Sequence, residues 1–185
     1  GLMFFTDGQQ VYKVRAADFA DSKASVLGDY LPTKLGMDED EKVIDMVLPA
    51  DYSGHLLFFF ENGKCARGAL SADATTSNRR KLTGAYSDKS PLTALLHLTE
   101  DKELALISTE PRALLLHTSL LSPKTTRATQ GVAVMNMKPR YRLQRVCDFA
   151  DSGIVNLSRY RVRSIPAAGA LLREEDQGRE QLTIL

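Results

Sequence analysis

Short apolar runs broken by Gly, Pro, Asn and Asp recur along this chain, and three of them share one plan. The first is Leu2-Met3-Phe4-Phe5-Thr6, then Asp7-Gly8, then Gln10-Val11-Tyr12-Lys13-Val14. The second is Leu56-Leu57-Phe58-Phe59-Phe60, then Asn62-Gly63, then Lys64-Cys65-Ala66-Arg67. The third is Leu104-Ala105-Leu106-Ile107-Ser108, then Glu110-Pro111, then Arg112-Ala113-Leu114-Leu115-Leu116. Phe and aliphatic runs of strand length, bounded by turn residues, predict β-hairpins over 2–14, 56–69 and 104–117. Asp-Gly and Asn-Gly are expected to supply the positive φ angles of a type I′ turn. Glu110-Pro111 demands a different turn, because proline fixes φ near −65°.

The turn positions Gly8, Gly63 and Pro111 lie 55 and 48 residues apart. After each hairpin comes a polar connection and a further strand-like stretch: Lys42 to Leu48, Pro91 to Leu98, and Tyr141 to Val146. A four-stranded unit of ~40–50 residues is the period of a propeller blade. The expectation is an all-β, propeller-like fold of about three to four four-stranded blades. Three blades fill 2–152, approximately as 2–53, 54–102 and 103–152. Residues 153–185 form a tail or a closing partial blade. Within them Ala167 to Glu175 reads as a short helix or an irregular segment, and Gln181 to Leu185 as one last strand.

Composition changes this picture little. The chain has 185 residues, 43% apolar and 25% charged, an ordinary globular balance. No run approaches the ~20 apolar residues of a membrane-spanning helix, so no membrane partner is expected. The numbering is expected to begin inside a longer protein. Cys65 and Cys147 are far apart and form no CxxC pair. They read as two reduced thiols in a cytoplasmic protein.

Charge changes the picture more. The net charge is +1, yet residues 1–60 carry 5 Lys/Arg against 10 Asp/Glu, and residues 61–148 carry 14 against 8. A basic middle inside a neutral whole is a localised footprint for a polyanion. The candidate contacts are Arg79, Arg80 and Lys81 in the second connection, Lys124 and Arg127 in the third, and Lys138, Arg140 and Arg142 around Pro139. Lys13, Arg15, Lys64, Arg67 and Arg112, on return strands, are weaker candidates that equally protect a sheet edge. The competing reading of all these residues is a solvated charged surface.

Other chemistry finds little support. His55, His97 and His117 are dispersed and read as packed or edge residues, so no metal site is assigned. Asp38-Glu39-Asp40-Glu41 lacks calcium-loop spacing and reads as a solvated turn. There is no phosphate-cradling glycine loop and no Gly-x-Ser-x-Gly elbow, and no catalytic residue is assigned.

The repeats "LMFFTDGQQVYKV", "LLFFFENGKCARGAL" and "LALISTEPRALLLHTSL", with the connection "TTRATQGV", resemble the C-terminal β-pinwheel of bacterial DNA gyrase and topoisomerase IV A subunits. The resemblance covers roughly residues 2–150. It implies sequence-independent binding and bending of double-stranded DNA, guiding the transported segment, in the cytoplasm on the bacterial nucleoid. The partners it implies, within an ATP-dependent type II topoisomerase, are the B subunit, together with the catalytic core to which the pinwheel is attached. No cofactor is implied for this domain; ATP and Mg²⁺ would serve only the parent holoenzyme. The DNA-cleaving tyrosine lies in another domain of that family, so none of the six tyrosines takes that role. Two departures stand out. The gyrase-type pinwheel has about six blades, more than this chain can hold. Its Gln-Arg-Arg-Gly-Gly-Lys-Gly-like box is missing, which points to a topoisomerase IV-like or divergent domain over a gyrase wrapping domain. The alternative is a protein-interaction propeller that has lost DNA wrapping.

Overall fold

The computed structural model describes residues 2–14, 37–38, 40–47, 53–73 and 81–178. Twelve strands among them form three four-stranded antiparallel sheets. The strands are β1 (Leu2–Thr6), β2 (Val11–Val14), β3 (Val43–Val47), β4 (His55–Phe60), β5 (Lys64–Ala69), β6 (Lys81–Leu82), β7 (Leu92–Leu98), β8 (Glu103–Ser108), β9 (Arg112–His117), β10 (Val132–Ala133), β11 (Leu143–Asp148) and β12 (Ala170–Leu171). The sheet orders are β3-β1-β2-β6, β10-β5-β4-β7 and β11-β8-β9-β12. The all-β reading of the sequence and its three hairpins are therefore observed.

Each sheet has a predicted hairpin at its centre and the following strand on one edge. The other edge is completed by a two-residue strand from further along the chain. Leu82 pairs with Val11, Val132 with Cys65 and Ala170 with Ala113. A strand edge is a row of unpaired N–H and C=O groups, and these short strands cover part of it. The stretch read as helix or tail thus supplies β12, which completes the third sheet.

The hairpin turns correct the expected geometry. Phe5 pairs with Val11, Phe59 with Cys65 and Ile107 with Ala113, so all three hairpins close over the same span. The position matching Gly63 is therefore Gln9, not Gly8. Gln9 has φ 57° and Gly63 φ 83°, and Asp7, Gly8 and Asn62 have no positive φ. A single left-handed residue after the turn is a three-residue loop with a bulge, not type I′. The third loop carries a cis Glu110–Pro111 bond at the same place.

Packing explains why the middle hairpin is so apolar. Leu56, Phe58 and Phe60 join Met3, Phe5 and Val11 in one core, while Leu57 and Phe59 join Leu104, Leu106, Leu114 and Leu116 in the next. Strand β4 is buried on both faces, so its sequence is a continuous apolar run rather than an alternation. Each such side chain contributes roughly 1.5–3 kcal/mol. Phe58 meets Phe5 edge-on at 6.0 Å and stacks on Tyr86 at 5.4 Å. The Tyr86 hydroxyl donates to the Thr6 carbonyl (2.5 Å), tying the first two sheets together.

The far face of the third sheet is covered by the C-terminal segment. Ile154 and Tyr160 pack there on Ala105, Ala113 and Leu115. Buried Asp176 organises this segment. It accepts from the backbone N–H of Val155 (2.8 Å) and Asn156 (2.9 Å), the Asn156 amide (2.8 Å) and the Tyr160 hydroxyl (2.6 Å). Burial alone raises a carboxyl pKa, but these donors from Asn156, Tyr160 and Val155 outweigh it and pull Asp176 from 3.8 to about 2.

Because the folded pKa is depressed, this carboxylate stabilises the fold above its unfolded value, and the contribution fades as pH falls from about 4 toward 2. The full shift is worth about 2 kcal/mol. Urea denaturation between pH 2 and 6 should show Asp176→Asn losing that part of the acid dependence. Gly131 gives a second test. Its φ is +75°, and an added Cβ would lie 1.9 Å from the Cys65 carbonyl oxygen. Gly131→Ala should destabilise by ~2 kcal/mol or more. Gly84→Ala, at φ +61° with nothing within 4 Å, should cost about 1 kcal/mol.

Candidate nucleic-acid interface

The loops entering β3, β7 and β11 occupy matching places. In each sheet the first residue of the hairpin turn donates its N–H to the residue just before the edge strand. The bonds are Asp7 N–H to Lys42 C=O (2.9 Å), Glu61 N–H to Pro91 C=O (2.8 Å) and Thr109 N–H to Arg142 C=O (3.0 Å). Lys42, Pro91 and Arg142 are therefore equivalent, and the three loops sit at the hairpin-turn ends of their sheets.

Charge along these ends is graded. The first loop holds Asp38, Asp40 and Glu41 beside Lys42. The second holds Asp88 and Lys89. The third holds Lys138, Arg140 and Arg142, all exposed. The third loop is firmly held. The Arg142 N–H donates to the Thr109 hydroxyl (3.1 Å), Leu143 N–H to Glu61 C=O (2.9 Å) and Tyr141 N–H to Lys138 C=O (2.9 Å). The Arg140 guanidinium lies 4.9 Å from the Tyr141 ring centre, an attractive cation–π geometry.

Carboxylates dominate the opposite end. Glu41 accepts from the hydroxyls of Thr6 and Tyr12 (2.8 Å for Tyr12) and from Asp38 N–H (3.1 Å). Burial, and then the Glu41 carboxylate, raise the Tyr12 phenol above its ordinary range, so it stays a donor. The acidic run is thus more than a solvated turn, because Glu41 anchors the loop to the first hairpin.

The predicted connection residues do not share one rung. Lys81 pairs with Tyr12 and stands 5.6 Å over its ring. By register it occupies the place of Gly131 and Gly169. Lys124 lies earlier in its connection. It bridges Gly68, and its N–H donates to Arg67 C=O (2.7 Å). Lys124 and Arg127 are both exposed. In the third sheet the matching bond is Val162 N–H to Leu115 C=O (3.1 Å). Exposed Arg161 and Arg163 flank that position, and sequence reasoning missed both. The signal in the sequence was a spacing: Lys124 and Val162 each lie seven residues ahead of a glycine, Gly131 and Gly169. Arg161 is paired with Glu103 at 3.0 Å. Arg79, Arg80 and Arg15 lie outside the described residues.

The return-strand cations divide. Arg67 bonds Asp101 (2.9 Å), Thr118 C=O (2.8 Å) and His55 Nδ1 (3.3 Å), and its side chain is 10% exposed. Hydrogen bonds from Thr118 and Arg67 lower the Asp101 pKa. Burial and then Arg67 lower that of His55, which accepts as the neutral ring. Arg112 pairs with Glu110 at 3.1 Å. These charges are committed to internal partners. Lys13 and Lys64 are half-buried on β2 and β5. His97 meets Ser53 C=O at 3.1 Å, and His117 meets the Ser119 hydroxyl at 2.6 Å. Among the described residues no three His, Cys, Asp or Glu side chains converge as metal ligands, and no helix is long and apolar enough to cross a membrane.

No family model matches the chain. It is 26% identical over 137 residues to the A subunit of DNA gyrase from Mycoplasma pneumoniae, an alignment covering 74% of this chain and 16% of that protein. In structure it is similar to the C-terminal domain of DNA topoisomerase IV, with TM-score 0.72 and 20% identity, over 92% of this chain and 57% of that one. The chain has the β-pinwheel fold of the C-terminal domains of topoisomerase A subunits. The E. coli ParC C-terminal domain matches with TM-score 0.67 and 13% identity, over 94% and 76% of the two chains. The DNA gyrase A C-terminal domain matches with TM-score 0.62 and 18% identity, over 96% and 62%. The pinwheel chain thus spans about a sixth of its curated gyrase relative and little over half of the topoisomerase IV domain.

The cations of the pinwheel separate by role in one experiment. Arg67→Ala should lower unfolding free energy by about 2 kcal/mol, because it strands its polar partners. Arg140→Ala, on an exposed loop, should change it by under ~0.5 kcal/mol. Chemical denaturation of the two variants reads both values.

Proposed function

We propose that this domain binds double-stranded DNA without reading its sequence, chiefly through the third-sheet turn loop. The observation that supports this is the placing of Lys138, Arg140 and Arg142 within five residues of a loop tied to two neighbouring hairpins. A pinned loop holds its cations ready for phosphates with little ordering cost. Phosphate contacts supply affinity by counterion release and need no base readout. Lys124 and Arg127 form a second exposed group on the connection into β10.

The graded rim also suggests an orientation. A duplex approaching the basic third sheet is repelled by the carboxylates of the first, so contact is polarised rather than a continuous band around the domain. Bending in this reading is modest, and chiral wrapping is not part of it, since the glycine-rich gyrase box is missing. The named relatives are DNA gyrase and topoisomerase IV proteins. By analogy with them, the domain guides the transported segment toward the catalytic core of the A subunit, which works with a B subunit. In this reading the domain is non-catalytic and cytoplasmic on the nucleoid, needs no cofactor, and leaves ATP and Mg²⁺ to the holoenzyme. Among the described residues, the protein-interaction reading is favoured at the acidic end of the first sheet.

The test is a duplex titration at several salt concentrations. The triple variant Lys138→Ala, Arg140→Ala, Arg142→Ala should bind unrelated duplexes equally more weakly. Its slope of log K against log salt should fall by about 2–3. A triple variant that keeps the parent's affinity and slope would refute the assignment of this loop.

A further inference from the structure

The two junctions between neighbouring sheets are not alike. Between the second and third, β7 packs directly on β11. The Thr93 hydroxyl donates to Leu143 C=O (3.1 Å), and Leu143 N–H donates to Glu61 C=O (2.9 Å). At the corresponding place between the first and second sheets, the Asp7 carbonyl accepts from the Gln9 side-chain amide (2.9 Å) rather than from the next sheet. Strands β3 and β7 stand apart there, across an open cleft of about 420 Å³.

The cleft has an apolar wall and an acidic rim. Ile44, Tyr86, Leu92 and Leu95 line it together with Asp7 and Asp45. Ile44 is 43% exposed and, just beyond it on β3, Met46 is 54% exposed. Asp38, Asp40 and Glu41 lie on the loop that leads into the same strand. Both bounding strands are sheet edges, since β3 ends the first sheet and β7 ends the second. An edge that still offers backbone groups, beside apolar pockets, is the setting in which an extended peptide adds as a further strand.

We propose that this cleft is a docking site for an extended protein segment carrying aliphatic side chains flanked by lysine or arginine. The aliphatic residues seat against Ile44, Leu92 and Leu95, and the flanking cations face Asp7 and Asp45. The carboxylates decide the occupant: they exclude a nucleic-acid backbone and favour a basic chain. The site is independent of the duplex reading, because it lies at the acidic end of the rim and the duplex loop at the basic end.

The probe is a hexapeptide of alternating lysine and leucine, titrated into the intact chain and followed by the methyl NMR signals of Ile44, Leu92 and Leu95. The expected result is saturable binding that moves these signals. Ile44→Glu, at an exposed β3 position, and Asp45→Lys, at its half-buried neighbour on the cleft rim, should each weaken it at least tenfold with an unchanged fold. An all-lysine hexapeptide should bind at least tenfold more weakly. Equal binding of the all-lysine peptide, or full affinity in both variants, would overturn the proposal. So would signals that move only with protein concentration, which would make the occupant a second copy of this chain. Duplex DNA added to the chain without peptide should leave these methyl signals in place. If duplex alone moves them, the cleft is part of the nucleic-acid surface and the docking proposal fails. If duplex fails to bind at all while the peptide docks, the duplex reading fails alone.

Discussion

The open edge of each hairpin's return strand is the constraint on which this architecture depends. A hairpin alone leaves a row of N–H and C=O groups unpaired, and here the cover comes from a strand of two residues. Such a strand contributes few hydrogen bonds, so its seat must be shaped closely. Gly131 and Gly169 provide that shape in the second and third sheets, since a Cβ at either would meet a return-strand carbonyl oxygen at 1.9 or 2.4 Å. In the first sheet Lys81 takes the same place. Its charge lies over the Tyr12 ring, so the rung that is closed by bare backbone elsewhere carries a cation there.

That arrangement links each sheet to the repeat after it. The first sheet needs β6, which lies beyond the second hairpin, and the second needs β10, beyond the third. The third sheet would need a fourth repeat, and the chain substitutes a segment of another kind. Helical turn Leu157–Tyr160 and the Asp176 hydrogen bonds hold β12 in position. Asp176 therefore acts on the β-sheet at a distance. It fixes the segment that delivers Ala170 to Ala113, without touching either strand's hydrogen bonds.

The hairpins were legible in the sequence because they combine two strong local signals, apolar runs and turn residues. The edge strands β3, β7 and β11 were legible for the same reason. Short donated strands were not, since two residues such as Val132 and Ala133 carry no periodicity of their own. The turn type was misread because Asp-Gly suggests left-handed backbone at Gly8, whereas the pairing of Phe5 with Val11 puts it at Gln9. Hairpin register is a long-range property, and a dipeptide does not encode it. Basic residues were found by counting charge, but their grouping was not. Lys81 and Lys124 look equivalent in sequence and fall on different rungs. Arg161 and Arg163 escaped notice because their connection was read as tail.

Burial separates cations that composition treats alike. Arg67 and Arg140 are both arginines of the basic middle segment. Arg67 is held by Asp101, Thr118 and His55 at the junction of two sheets, and a duplex could engage it only by breaking those bonds. Arg140 stands over Tyr141 on a loop pinned by the N–H groups of Tyr141, Arg142 and Leu143, and approaching phosphate displaces little besides water and counterions. Uneven charge does the same at the scale of the domain. Among the described residues, carboxylates stand on the first turn loop and Lys138, Arg140 and Arg142 on the third, so the turn ends differ in charge. A polyanion meeting such a surface is turned as well as attracted. In the proposed function, a domain of three sheets therefore orients a duplex without the continuous basic perimeter that wrapping would require.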